Sequence, residues 1–174
     1  MTQIRILLAA VALLAVPAVS LAQAPAAGAR PPPAPAARGP SLALALEAAQ
    51  TAVTTCAGNG YTVAASVIDS GGVLKVLVAG DGARAMAVSS STMKALAANK
   101  YKAATSEIDA KSKTDAELAA ALAADKTMMA RAGALPILVG ADQIGSIGVG
   151  GAPGGEKDEA CAKAGLAQVA SRLK

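Results

Sequence analysis

The residues best placed to do chemistry lie between Gly133 and Gly165, where Gly145, Gly148, Gly150, Gly151, Gly154 and Gly155 are followed closely by Glu156, Asp158 and Glu159. Glycine at that density means that backbone takes positive φ or comes very near something, either a ligand or a neighbouring stretch of chain. The acids that follow suit the positive end of a helix. Outside this block, Asp69 and Asp81 join Asp158 as the available acid or base groups, and amides of the glycine loop could hold an anion. All three aspartates sit beside turn residues, where a carboxylate more often closes a turn than moves a proton.

Much other chemistry is closed. The chain has no histidine, so it cannot build a Ser-His-Asp or Cys-His catalytic set, a His-ligated zinc site or a proximal-His haem site on its own. Its two cysteines, Cys56 and Cys161, are too few for a zinc or iron-sulfur set. The net charge of +4 overstates basicity, because Arg5, Arg30 and Arg38 precede residue 41 and the remaining 13 basic groups face 12 acidic ones. With Tyr61 and Tyr101 as the only aromatic residues, there is little to stack on bases, and nucleic acid is not an expected partner. Gly80-Asp-Gly82-Ala-Arg-Ala85 fits GxGxxA, but the strand before it closes a hairpin, so it reads as a turn and not as a dinucleotide site. Gly150 to Lys157 has Glu156 where a phosphate loop needs lysine.

The elements that must position these residues begin after a separable N-terminus. Residues 1–22 read as a secretory signal, with Arg5 before an apolar run from Ile6 to Val16 and small residues around Ala22. Residues 23–40 form an Ala/Pro-rich disordered linker, since six prolines from Pro25 to Pro40 prevent a helix and offer nothing to bury. One domain, 41–174, remains. Ser41 caps a helix whose stripe is Leu42, Leu46, Ala49, Val53 and Cys56, ended by Asn59-Gly60. A strand from Tyr61 to Asp69 follows, alternating Val63, Ala65 and Val67 with Thr62, Ala64, Ser66 and Ile68, then a turn at Asp69-Ser-Gly-Gly72 and a strand from Val73 to Ala79.

Met86 to Ala104 reads as a helix whose start is disturbed by Ser89-Ser-Ser-Thr92, a run that can cap a helix. Met93, Leu96, Ala97 and Lys100 share a face of it. Thr114-Asp-Ala-Glu117 is a capping box for a further helix through Leu118 and Leu122, and Met128 and Met129 read as gap-filling core. Ile137 to Val139 and Gln143 to Val149 form a hairpin around Gly140-Ala-Asp142, and the last helix has its body from Ala160 to Leu173. A core built largely from alanine is shallow, so stability must also come from a crosslink or from oligomerisation. In an exported chain Cys56 and Cys161 would oxidise to a disulfide between the first and last helices, whereas two buried thiols would mark a reducing compartment.

The blocks Val67-Ile-Asp69-Ser-Gly-Gly72-Val-Leu, Asp81-Gly-Ala83, Lys94-Ala95, Gly133-Ala-Leu-Pro136-Ile, Ile144-Gly-Ser-Ile-Gly148-Val-Gly-Gly151-Ala and Lys157-Asp-Glu159-Ala-Cys-Ala-Lys-Ala-Gly165-Leu resemble the GlcG/HbpS-like haem-binding (haem-degrading domain) family from Ser41 to Lys174. The resemblance implies a profilin-like α+β domain, an antiparallel sheet flanked by helices, assembled into a symmetric homo-oligomer. It implies haem or a related tetrapyrrole as ligand, and one secreted member of the family serves a membrane sensor kinase. Family members often read Lys-Ala-x-Thr-Ala in the central helix. Here Ala97 follows Leu96, so a hydroxyl that would face a haem iron is missing.

Candidate ligand-binding residues on this reading are Arg84 and Lys94 for haem propionates, Met93, Tyr101, a lysine or no residue at all as axial ligand, Ala97 at the departed position, and Gly148, Gly150 and Gly151 in the loop. Three functions follow: a periplasmic or secreted haem binder without enzymatic activity, an enzyme on a small carboxylate or aldehyde, or an oligomeric sensing module whose glycine block packs on its own copy.

Overall fold

The computed structural model describes residues 36–174. The segment read above as a secretory signal, residues 1–22, and most of the Ala/Pro-rich segment lie outside the described residues. Of that segment, Arg38 is described, and its backbone exchanges hydrogen bonds with Ser70, the Arg38 N–H donating to Ser70 Oγ at 2.8 Å and the Ser70 N–H to the Arg38 carbonyl at 2.8 Å.

Helix α1 (Leu42–Gly58) starts where expected, with Ser41 Oγ accepting the Leu44 N–H, and Asn59 closes it. Its buried stripe is Ala45, Ala48, Ala49, Ala52 and Cys56. Side chains this short let a second helix approach to backbone contact, and α5 (Gly155–Val169) does so. A Cβ added at Gly165 would overlap the Ala48 carbonyl oxygen. The Cys56–Cys161 disulfide joins the same two helices, with Cα atoms 5.6 Å apart.

In chain order between α1 and α5, strands β1 (Ala64–Asp69), β2 (Leu74–Ala79), β3 (Ala134–Val139) and β4 (Asp142–Gly150) form one antiparallel sheet in the order β2-β1-β4-β3. Pro136, which lacks an N–H, is accommodated because β3 is an edge strand. Strand β1 is central and buried on both faces. Val63, Ala65 and Val67 pack into the core with α1 and α5, and the Ser66 hydroxyl, fully buried, lies 2.8 Å from both Ser91 Oγ and Thr92 Oγ1 of α2 (Ala85–Tyr101). The sheet is therefore a middle layer, with α1 and α5 on one side and α2 on the other, which confirms the profilin-like α+β expectation.

The structure corrects several local expectations. Ser89 to Thr92 neither break nor cap α2. They lie inside it, because the Ser89, Ser90 and Ser91 hydroxyls donate to carbonyls of the preceding turn and so do not compete with the helix. Helix α2 ends at Tyr101, three residues early, on Lys102, which takes a left-handed conformation with φ of 54°. A short helix α3 (Thr105–Ser112) then follows, where the sequence suggests no element. Helix α4 (Ala116–Ala124) is capped by Asp115, whose Oδ1 accepts the Leu118 N–H at 2.9 Å, and not by Thr114, whose hydroxyl turns back to the Lys111 carbonyl. Helix α5 begins at Gly155, five residues before the expected body, so Glu156 and Asp158 fall in its first turn.

Candidate functional site

At the end of the sheet where β4 runs out, a cleft of about 300 Å³ opens between the first turns of α2, the loop Gly151 to Gly155 and the segment before β3. Arg84, Met86, Ala87 and Ser90 line it from α2, Met129 and Arg131 from the segment before β3, and Ala152 and Pro153 from the loop. Lys94 and Asp158 reach it from within. The segments stand together for local reasons. Gly151 has φ of 125°, and a Cβ there would lie 2.6 Å from the Thr62 carbonyl oxygen, so the chain can leave β4 sharply only with glycine there. The Met129 N–H donates to the Met93 carbonyl at 3.1 Å, which holds the Met129 to Arg131 segment against α2.

A buried ion pair fixes the base of the cleft. Lys94 Nζ donates to Asp158 Oδ2 at 2.7 Å and to the Val149 carbonyl at 3.1 Å, while Asp158 Oδ1 accepts the Ala152 N–H at 2.9 Å. Both side chains are buried, at 5% and 4% exposure. Gly133, at φ of 137°, leaves the space through which Lys94 passes, since a Cβ there would lie 2.6 Å from Lys94 Nζ. Glu159, the next acid, accepts the Ser106 hydroxyl at 2.7 Å and the Gly133 N–H at 3.2 Å. The two consecutive acids therefore bind α2, the loop, α3 and the start of β3 to the start of α5.

The residues singled out from the sequence divide sharply. Arg84, Lys94 and Gly151 come together at the cleft. Gly148 and Gly150 do not line it; they answer the question of what the glycine block approaches. A Cβ at Gly148 would overlap the Ser91 carbonyl, and one at Gly150 the Ser90 hydroxyl, so their partner is α2 of the same chain. Ala97 is fully buried and Met93 half-buried, both on α2 away from the cleft lining. Tyr101 lies at the far end of α2, its ring 5.7 Å from Lys100 Nζ. Lys94 is neither solvated nor free to meet a ligand acid, because Asp158 already takes its charge.

The three aspartates do not converge. Asp69 Oδ1 accepts the Gly71 and Val73 N–H groups, both at 2.9 Å, as a turn residue. Asp81 is exposed in the turn after β2 and lines a different groove.

Sequence reasoning did not single out Met86 or Arg131 and assigned Met129 to the core, whereas all three line the cleft. Met86 is 68% exposed, which a core reading of methionine does not anticipate. The available signal was Met129-Ala-Arg131 directly before Gly133, a glycine whose conformation brings that segment to Lys94.

Chemically the cleft is cationic at its rim, neutral at its base and apolar along its walls. Arg84 and Arg131 are exposed and take no part in the ion pairs found among the described residues. Among those residues there is also no cluster of acids or cysteines able to hold a metal ion, and no helix is long and apolar enough to cross a membrane.

Comparison with known proteins places this geometry in a lineage. The HbpS crystal structure is 31% identical with a TM-score of 0.71, covering 78% of this chain and 94% of that one. A double mutant of HbpS from Streptomyces reticuli is 32% identical with a TM-score of 0.72, covering 85% and 98%. The Klebsiella pneumoniae protein ORFY is 25% identical with a TM-score of 0.71, covering 81% and 97%. A complex of PduOC with haem, at 19% identity and a TM-score of 0.70, shares the fold. A search of curated proteins gave no significant match. Residues 41–167 match the family described as haem-degrading protein HbpS-like, and with that span the chain belongs to the HbpS-like family.

Proposed function

We propose that this chain is an exported haem-binding protein that holds its pigment at the cleft without transforming it, and that it works as a homo-oligomer. The observation that carries the reading is the cleft itself: two unpaired arginines and two thioethers around an apolar wall, in a domain of the HbpS-like family. The donor set fits a haem group. Arg84 and Arg131 would take its propionates, Met86 and Met129 would bring thioethers, held in no fixed position, beside the ring and its iron, and Ala87 and Pro153 would offer apolar contact. Haem would supply the iron and the flat apolar surface; the chain's own residues bind and orient it. At about 300 Å³ the cleft is at the small end of ligand sites, which run to roughly 1,000 Å³, so a porphyrin would enter by its propionate edge.

The Cys56–Cys161 disulfide supports a periplasmic or secreted location, since such bonds persist in oxidising compartments. Leu74 and Leu77, 44% and 37% exposed on the edge strand β2, support assembly with further copies, and a membrane-bound sensor is the partner an exported binder of this family would serve. Haemin titration tests the proposal. A shifted Soret band at micromolar protein, weakened by Arg84→Gln with Arg131→Gln, supports it; a spectrum showing only free haemin defeats it.

A further inference from the structure

A ligand can be recognised through a metal atom or through its acid groups, and the residues around the cleft are prepared for only one of these. No side chain here is a fixed metal ligand. Met86 is 68% exposed and Met129 carries its thioether on a segment outside any helix or strand. The Lys94 amine would have to be free and deprotonated to bind a metal, yet it donates to Asp158 and to the Val149 carbonyl. The acid-binding groups, by contrast, are present and uncommitted. Arg84 stands on α2 and Arg131 on the segment before β3, so the two guanidiniums flank the cleft from separate elements. Each is able to take a carboxylate bidentately.

The charges agree. Lys94 and Asp158 cancel, leaving the lining with the two arginine charges. Arg84 is moreover the N-cap of α2, where a cation opposes the helix dipole, and no acid stands in the first turn to offset it. An arrangement that is unfavourable by itself becomes favourable once an anion sits between these groups.

We infer that the cleft is a seat for a pair of carboxylates carried on an apolar body, and that it is indifferent to a metal in that body. This rests on the cleft being the ligand site, as proposed above, and not on the ligand being haem. Two sources supply the same chemistry: the propionates of a tetrapyrrole, or a free aliphatic dicarboxylic acid.

The test uses the full chain, with haemin, metal-free protoporphyrin IX, protoporphyrin dimethyl ester and glutarate as probes. Binding of porphyrins is followed by absorption and fluorescence, and of glutarate by calorimetry. Variants are Arg84→Gln with Arg131→Gln, and Met86→Ala with Met129→Ala; all four residues lie outside the core, and circular dichroism checks the fold. The expected result is that metal-free protoporphyrin binds like haemin, that esterification or loss of both arginines weakens binding about tenfold to hundredfold, and that loss of both methionines costs less. Binding of glutarate that the arginine variant abolishes, with no porphyrin bound, upholds the seat and removes the haem reading. Porphyrin binding that ignores esterification and both arginines, or that requires iron, overturns the inference while leaving haem binding in place. If no probe binds, both fall.

Discussion

Lys94 Nζ and Asp158 Oδ2 lie 2.7 Å apart, both buried, and through them the central helix, the end of β4 and the start of α5 meet at one point. Removing one partner leaves a buried charge without its counterpart. Asp158→Leu or Lys94→Met alone is expected to lower stability by about 3 to 5 kcal/mol, while the double replacement Lys94→Met with Asp158→Leu restores much of it. Urea denaturation of the four proteins in a double-mutant cycle measures this. Single variants as stable as the parent would show that the pair contributes nothing to holding these elements together.

Gly148 tests what the glycine block is for. Because a side chain there meets the Ser91 carbonyl of α2, Gly148→Ala must push the helix off the sheet, at a cost of about 1 to 3 kcal/mol in chemical unfolding. Were the glycine a ligand-facing surface, the variant would keep its stability and lose ligand uptake instead.

The Cys56–Cys161 bond closes a loop of 105 residues, and its reduction is expected to cost about 4.7 kcal/mol on the chain-entropy account. Comparing denaturation midpoints with and without reductant, and with Cys56→Ser plus Cys161→Ser, checks it; the two routes should agree.

At the other end of α1, Glu47 accepts hydrogen bonds from Arg172 at 2.6 Å and from Gln168 at 3.2 Å, which hold its carboxyl below the usual 4.5. A depressed acid contributes stability that is complete above its unfolded value and is lost as pH falls through the folded one. The Tm difference between the parent and Glu47→Gln should therefore be present at neutral pH and vanish as pH falls through the carboxyl's depressed folded value, which lies below 4.5. As this contact is exposed, the difference is small and shrinks in high salt.

Much of this architecture was legible in the residues. Ser41 and Asn59 bounded α1, Gly140-Ala-Asp142 marked the β3–β4 hairpin, and the cysteines stood on the two helices they join. What was not legible has physical causes. Hydroxyls in Ser89 to Thr92 read as helix breakers, but in place they bond the turn before them and the sheet behind them. Tyr101 and Lys102 end α2 without the glycine that usually announces such a stop, so α3 went unseen. For the cleft, Arg84, Lys94 and Gly151 could be named, yet the partnership of Lys94 spans 64 positions to Asp158, and no local pattern links residues so far apart. Arg131 belongs to the cleft only because Gly133 turns the chain there.

The layer between α1 and α5 is assembled mainly from Ala45, Ala48, Ala49, Ala52, Ala162 and Gly165, side chains with no rotamers to freeze and few carbon atoms to withdraw from water. Melting such a layer hydrates comparatively little hydrocarbon, so its heat-capacity increment is modest and the domain's free energy of unfolding bends gently with temperature. Endurance across a broad thermal range, more than a high peak at any one temperature, is what a frame of methyl groups confers.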